Sequence, residues 1–317
     1  MERVLVVLII SLSSSVCFFI AITSVLLLKT SLPPLQVAPH QTDPVILNFP
    51  PIQSKPSYSW LSNEDLSYQG NVYLERYKLH YCKIDKNMGS VVQAVLCFIE
   101  NPRAYEQFFT REQWQPGLNG AYCGYSTANG TLRQRFLKAV KLNLFRQDNG
   151  VYHFAIIRHP VERFVSSWLD VCNDNIFSAA WCFGCGTDLA CFILNNYWHI
   201  RKHSENRMPE RWKREWHFYP QVWYCDFEHR LSYYHLISYG RDRRFLDQFL
   251  DVFRRQNVSE LLTDTIEDVL NKKTTKHETY RKNKDIRDVL YDSNVLTQVL
   301  YNTYFLDFQM FHFSLRL

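Results

Sequence analysis

Two short segments carry the side chains whose types and spacing could do chemistry. The first is Ile156-Ile157-Arg158-His159-Pro160-Val161-Glu162-Arg163-Phe164-Val165-Ser166-Ser167-Trp168. Its apolar run, Phe154 to Ile157, predicts a strand that ends at Arg158. Pro160 then suits the first turn of a helix, where its missing N–H would have no partner anyway. A strand end feeding a helix N-terminus holds anions well, because free N–H groups and the positive end of the helix dipole meet there. Arg158 can add a bidentate, charge-assisted contact, and Ser166 and Ser167 put hydroxyls on the following turns. The bland alternatives are an Arg158 that merely pairs with Glu162 and a Ser166 that is an ordinary helix-face serine.

The second segment, Leu79-His80-Tyr81-Cys82-Lys83-Ile84-Asp85-Lys86-Asn87-Met88-Gly89-Ser90-Val91-Val92, repeats that layout. The pattern predicts a strand over Tyr77–Ile84, a short loop, and a helix from about Ser90 through Phe98. Lys86, Asn87, Met88, Gly89 and Ser90 would form an anion cradle of ammonium, backbone N–H and hydroxyl groups. Gly89 is the residue expected to supply a left-handed backbone there. Strands alternating with helices predict an α/β fold with a parallel sheet, whose ligands bind beyond the carboxyl ends of the strands. Both corners lie at such ends, so both can face one ligand.

The first segment resembles the 3′-phosphate motif R-x-P-x-x-R-x-x-S-x-[FYW] of sulfotransferases that use 3′-phosphoadenosine-5′-phosphosulfate (PAPS), at Arg158, Pro160, Arg163, Ser166 and Trp168. The second resembles the C-x-x-P-K-x-x-x-[ST] loop of the carbohydrate type, at Cys82, Lys86 and Ser90, with Asp85 where the family usually has proline. Three further islands are similar to that family: H-x-x-x-Q-x-x-x-C at His217, Gln221 and Cys225; K-x-T-x-x-T at Lys273 and Thr275, with Thr279 one residue late; and Y-x-x-D-F-x-x-F at Tyr304, Asp307, Phe308 and Phe311. Taken together they look like the chondroitin 4-O- and HNK-1-type enzymes, and CKIDKN with HFYPQ looks most like a nematode-expanded branch.

The resemblance implies a P-loop-like parallel sheet flanked by helices and PAPS as co-substrate, with no metal and a glycan or proteoglycan as acceptor. By the same resemblance, Lys86, Asn87, Met88, Gly89, Ser90, Arg158, Ser166, Lys273, Thr275 and Thr279 would hold the nucleotide. The acceptor hydroxyl attacks sulfur in line and the 5′-phosphate leaves, so the protein must position both and neutralise the leaving oxygen. Lys86 is the candidate for that neutralisation. A general base should take the hydroxyl proton; His217 and Glu100 are the candidates, and His153, on the strand feeding Arg158, could point to either face.

The elements that must carry these residues occupy only part of the chain. After residues 1–3, Val4 to Leu28 run without a charge, longer than the ~20 residues that cross a bilayer and than a cleavable apolar core of roughly 7–15. Residues 4–28 are therefore expected to be an uncleaved signal anchor, 29–70 a proline-rich stem, and 71–317 the catalytic domain. Asn129 and Asn257 open N-glycosylation sequons, useful only in a lumen. The eight cysteines outside the span form an even set suited to disulfides; Cys182, Cys185 and Cys191 could instead be read as zinc ligands, or Cys182-x-x-Cys185 as a redox pair. A single-pass type II protein of the Golgi membrane fits all of this. Leu132 to Phe145 has helical spacing, and Arg201 through Arg214 is a basic stretch that could meet an anionic glycan. The formal charge of +5 is mild, and nothing points to nucleic acid. Rival readings are a Golgi glycosyltransferase, disfavoured because no D-x-D pair occurs, and an anchored glycan-binding module without activity. A P-loop kinase is disfavoured by the missing G-x-x-x-x-G-K-[ST].

Overall fold

The computed structural model describes residues 71–109, 143–173, 182–204, 216–272 and 280–315. The expected anchor and stem, Asn129, Lys273, Thr275, Thr279 and most of Leu132–Phe145 lie outside these residues. Among the described residues no helix is long and apolar enough to cross a membrane.

Four strands form the sheet: β1 (Val72–Leu74), β2 (Leu79–Cys82), β3 (Tyr152–Ile157) and β4 (Tyr234–Ser238). β2, β3 and β4 are parallel, with Cys82 opposite Ala155 and Ile157 opposite Ser238. β1 is an antiparallel edge strand, so the sheet is mixed rather than all parallel. The reversal between β1 and β2 is a single 3₁₀ turn, Glu75–Tyr77, closed by Lys78 at φ 46°. That turn shortens the strand expected over Tyr77–Ile84 at its start. β3 is buried along nearly its whole length, as a strand covered on both faces should be.

The helices are α1 (Gly89–Glu100), α2 (Pro102–Phe109), α3 (Pro160–Trp168), α4 (Leu189–Ser204), α5 (Phe227–Arg230), α6 (Arg243–Arg255), α7 (Glu260–Lys272), α8 (Tyr280–Asp292), α9 (Asn294–Thr303) and α10 (Phe305–Met310). Side chains alternate across a strand, and β3 uses this to build two cores. Phe154 and Ile156 pack with Val92 and Val95 of α1 and Phe249 and Phe253 of α6. Ala155 and Ile157 pack with Phe164 of α3, Phe192 of α4, and Tyr304 and Phe308 near the C-terminus. The sheet is thus sandwiched between helices, and the terminal aromatic block is core. The helix expected over Val161–Cys172 starts with Pro160 at its head and ends at Trp168, then continues as one π-helical turn, Leu169–Asn173.

Disulfides join Cys82 to Cys225, Cys172 to Cys182, and Cys185 to Cys191. Cys97 is also disulfide-bonded. Cys182 and Cys185 therefore bond to different partners and not to each other, which removes both the redox-pair and the zinc-ligand readings of that cluster. Cys82–Cys225 spans 143 residues, and closing a loop of that size stabilises by about 4–5 kcal/mol in the chain-entropy model.

Candidate active site

The loop after β2 is built on two left-handed residues, Lys86 at φ 67° and Met88 at φ 60°. Gly89, expected to supply that conformation, is instead the first residue of α1. Its lack of a side chain serves a close approach: a Cβ there would lie 2.8 Å from Cε and 3.1 Å from Cγ of Lys83. Left-handed backbone at a non-glycine costs roughly 1–2 kcal/mol per residue, so the loop needs anchors. Asn87 is one: its buried Nδ2 donates to the Ile156 carbonyl at 2.7 Å and to Gln221 Oε1 at 2.6 Å. The Asn87 side chain is accordingly a strut into the protein. Arg163 is a second anchor. Its Nε donates to the Asp85 carbonyl at 2.8 Å and its Nη1 to the Tyr219 carbonyl at 2.7 Å. Only 1% exposed, Arg163 braces the loop from within. The Cys82–Cys225 disulfide is the third.

Arg158, one residue past β3, is gripped through its backbone. Its N–H donates to Gln221 Oε1 at 3.0 Å and its carbonyl accepts from Gln221 Nε2 at 2.8 Å. Gln221 is gripped in turn by Asp307, whose carboxylate accepts from the backbone N–H groups of Gln221 and Val222, each at 2.9 Å. Burial raises the Asp307 pKa to about 6, with these hydrogen bonds and Arg163 pulling the other way. The glutamine and aspartate of the two downstream islands are therefore positioning groups for the Arg158 corner.

The Arg158 side chain lies over the Tyr239 ring, 4.6 Å from its centroid. Nη1 donates to the Lys86 carbonyl at 3.2 Å, and Nη2 is 3.5 Å from Glu162. The pairing with Glu162 foreseen as an alternative is real, but Glu162 also pairs with Arg287 of α8. Arg158 Nε is buried and has no hydrogen-bond partner among the described residues. Burial lowers the Arg158 pKa, with Tyr239 and Glu162 opposing. A buried guanidinium with an unused N–H is costly unless something fills the place, and an anion would. Of the two serines on α3, Ser167 turns inward, 2.9 and 2.8 Å from the carbonyls of Arg163 and His217. Ser166 is half-buried.

Lys86 Nζ forms an ion pair with Asp170, which sits on the π-helical turn after α3. Against them lies His217, on the one-turn 3₁₀ segment Trp216–Phe218. Burial pushes the His217 pKa down to about 4; Asp85 and Asp170 raise it, Lys86 and Arg163 lower it. The imidazole is thus neutral near pH 7 and sits in the field of the loop. Asp85, in the place of the usual proline, has its pKa lowered: burial opposes, and Lys83 (3.4 Å away), His217 and Arg163 prevail.

The structure thus brings Lys86, Arg158 and His217 into one neighbourhood, with Ser90 on the first turn of α1 and Ser166 on α3. It takes Glu100 and His153 away from that neighbourhood. Glu100 ends α1, about 16 Å along the helix axis from its start at 1.5 Å per residue. His153 lies five residues before Arg158 and is committed to the core, Nδ1 to Nδ1 at 2.9 Å with His80 and stacked on Phe145. Sequence reasoning missed Asp170. Its spacing of seven from Arg163, two helical turns, was the available signal. Among the described residues no group of three or more His, Cys, Asp and Glu side chains is placed to hold a metal ion.

Known proteins resemble the chain over most of its length. The model of the sulfotransferase family matches residues 70–314. An uncharacterized protein of Caenorhabditis elegans, C18B2.2, is 25% identical over 75% of this chain and 67% of its own length. The candidate sulfotransferase vep-2 of the same organism is 26% identical over 64% of this chain and 63% of its own length. The chain thus spans about two thirds of these relatives. No solved structure matches it.

Proposed function

We propose, from the premise that the chain belongs to the sulfotransferase family and is a sulfotransferase, that its sulfuryl donor is PAPS and its acceptor a carbohydrate hydroxyl. The observation that carries this reading is the contact of Arg158 Nη1 with the Lys86 carbonyl. It ties the two anion corners into one site whose deeper cation keeps an unused N–H. In this reading Arg158 and Ser166 hold the 3′-phosphate and set the nucleotide. The Lys86-to-Ser90 loop holds the 5′-phosphosulfate, and the Lys86 ammonium neutralises the leaving phosphate oxygen. Lys273, Thr275 and Thr279 close over the nucleotide. The acceptor is a glycan or proteoglycan, reached in the Golgi lumen by a catalytic domain anchored through residues 4–28 as a type II protein, with Asn129 and Asn257 glycosylated.

The test is calorimetric titration of the full-length chain, in detergent, with 3′-phosphoadenosine 5′-phosphate against plain AMP. Binding should require the 3′-phosphate. Arg158→Ala should weaken it by about 100-fold, the loss of one buried charge-assisted contact worth roughly 2–3 kcal/mol. Equal binding of the two nucleotides, or an unaffected Arg158→Ala variant, would overturn the donor assignment.

A further inference from the structure

We infer that Asp170 is the general base of the transfer, and that it is held inactive by Lys86 until the sulfuryl donor takes Lys86 away. The inference rests on the reading of the donor given above.

An acceptor hydroxyl must come in from solvent, on the side of sulfur opposite the leaving oxygen. His217 is neutral near pH 7, but its ring is largely buried. The Asp170 carboxylate is 41% exposed and directly partnered with the Lys86 ammonium, which is only 16% exposed. Asp170 is also rigidly mounted. Its neighbours Leu169, Val171 and Cys172 are buried, and Cys172 is tied to Cys182. The π-helical turn carries this one carboxylate out between buried residues, and single π-turns recur at functional sites. The charged or titratable groups around it include Lys86 from the loop and His217 from the 3₁₀ segment, and His217 in turn feels Asp85 and Arg163.

The ion pair explains how a carboxylate could act at the right moment. Paired with Lys86, Asp170 is a poor proton acceptor, because the adjacent cation favours its charged form. When PAPS binds, its phosphosulfate competes for the Lys86 ammonium. Asp170 then loses the Lys86 counter-charge beside a new dianion, and its basicity rises. It can then accept the proton of the incoming hydroxyl. That oxygen forms its bond to sulfur, and the bond from sulfur to the 5′-phosphate oxygen breaks with its electron pair. 3′-Phosphoadenosine 5′-phosphate leaves with its new charge beside Lys86. Asp170 afterwards releases its proton to water.

The experiment compares the full-length chain with Asp170→Asn, Asp170→Glu, Lys86→Met and the Asp170→Asn/Lys86→Met pair. Two quantities are read: affinity for 3′-phosphoadenosine 5′-phosphate, and loss of PAPS with desulfated chondroitin present, counting transfer to chondroitin and to water together. Asp170→Asn should bind the nucleotide about 3–10-fold more tightly, since the competing ion pair is gone, and this gain should vanish on the Lys86→Met background. PAPS loss should fall by roughly 100–10,000-fold, the usual worth of a general base, and Asp170→Glu should recover part of it. A merely structural role would lower affinity and rate together. Wild-type turnover in Asp170→Asn, or weakened nucleotide binding in it, overturns the inference. Failure of the unsubstituted chain to bind the nucleotide overturns the donor reading first and this inference with it.

Discussion

Arg163→Lys separates a brace from a ligand at the second arginine of the 3′-phosphate motif. In the structure the guanidinium bridges three groups: the Asp85 carbonyl at 2.8 Å, the Tyr219 carbonyl at 2.7 Å and the Tyr224 hydroxyl at 3.5 Å. A lysine keeps the charge but is a point donor on a flexible stem and cannot span the fork. It can satisfy one of these acceptors and loses the bonds to the others. At about 1.5–3 kcal/mol for each hydrogen bond to a charged group, losing two costs roughly 3–6 kcal/mol. In a domain of some 250 residues a loss of 1 kcal/mol lowers Tm by about 2–4 °C, so Arg163→Lys should unfold at least about 6 °C earlier. Well below that temperature the nucleotide should bind with an affinity reduced only as far as the loop has loosened. Thermal unfolding and titration with 3′-phosphoadenosine 5′-phosphate read the two effects separately. An unchanged Tm together with a large loss of affinity would refute the bracing role and put Arg163 against the ligand.

Other perturbations probe the same scaffold. Asp307→Leu removes the acceptor for the Gln221 and Val222 N–H groups and should cost about 2–5 kcal/mol, read by chemical denaturation; no loss would show that Gln221 is held by other means. Cys225→Ser opens the Cys82–Cys225 bridge and should cost about 4–5 kcal/mol without altering the order of nucleotide preference. Acid should destabilise the fold. His153 and His217 both have folded pKa values near 4 against ~6.5 when unfolded, so the unfolded chain takes up protons first as pH falls below 6.5. Stability should be complete above pH 6.5 and decline towards pH 4, by up to roughly 3 kcal/mol per histidine. Asp307, raised to about 6, acts in the opposite sense over pH 6 to 4 and offsets about one of them. A Tm that stays level or rises from pH 7 to 5 would contradict the buried neutral histidines.

The two corners were legible in the sequence because each is a local event. An apolar run ending at Arg158, followed by Pro160, can hardly be anything but a strand feeding a helix, and β3 and α3 begin and end within a residue or so of that expectation at this junction. The left-handed loop was harder. Glycine is the usual guess for a positive φ, yet Lys86 and Met88 take it here, because Asn87, Arg163 and Cys82–Cys225 hold the backbone from three sides. Those struts join positions 78, 134 and 143 residues apart, Arg163 with Asp85, Gln221 with Asn87 and Cys225 with Cys82.

What the sequence conceals follows from that reach. A motif names residues by type and spacing, but the same arginine or serine can face ligand or core, and only tertiary contact decides. Arg158 and Arg163 stand five apart on one strand-to-helix junction; one keeps a free Nε and the other is consumed by carbonyl oxygens. Ser166 and Ser167 split in the same way, one half-buried and one bonded inward. Asp170 is the sharpest case, since it belongs to no motif. It meets Lys86 only because α3 gives way to a π-helical turn beside a loop 84 residues earlier in the chain. In the mechanism we infer, charge neutralisation at the leaving oxygen and proton removal at the acceptor are coupled through this one ion pair, which belongs to the contact between two elements rather than to either one.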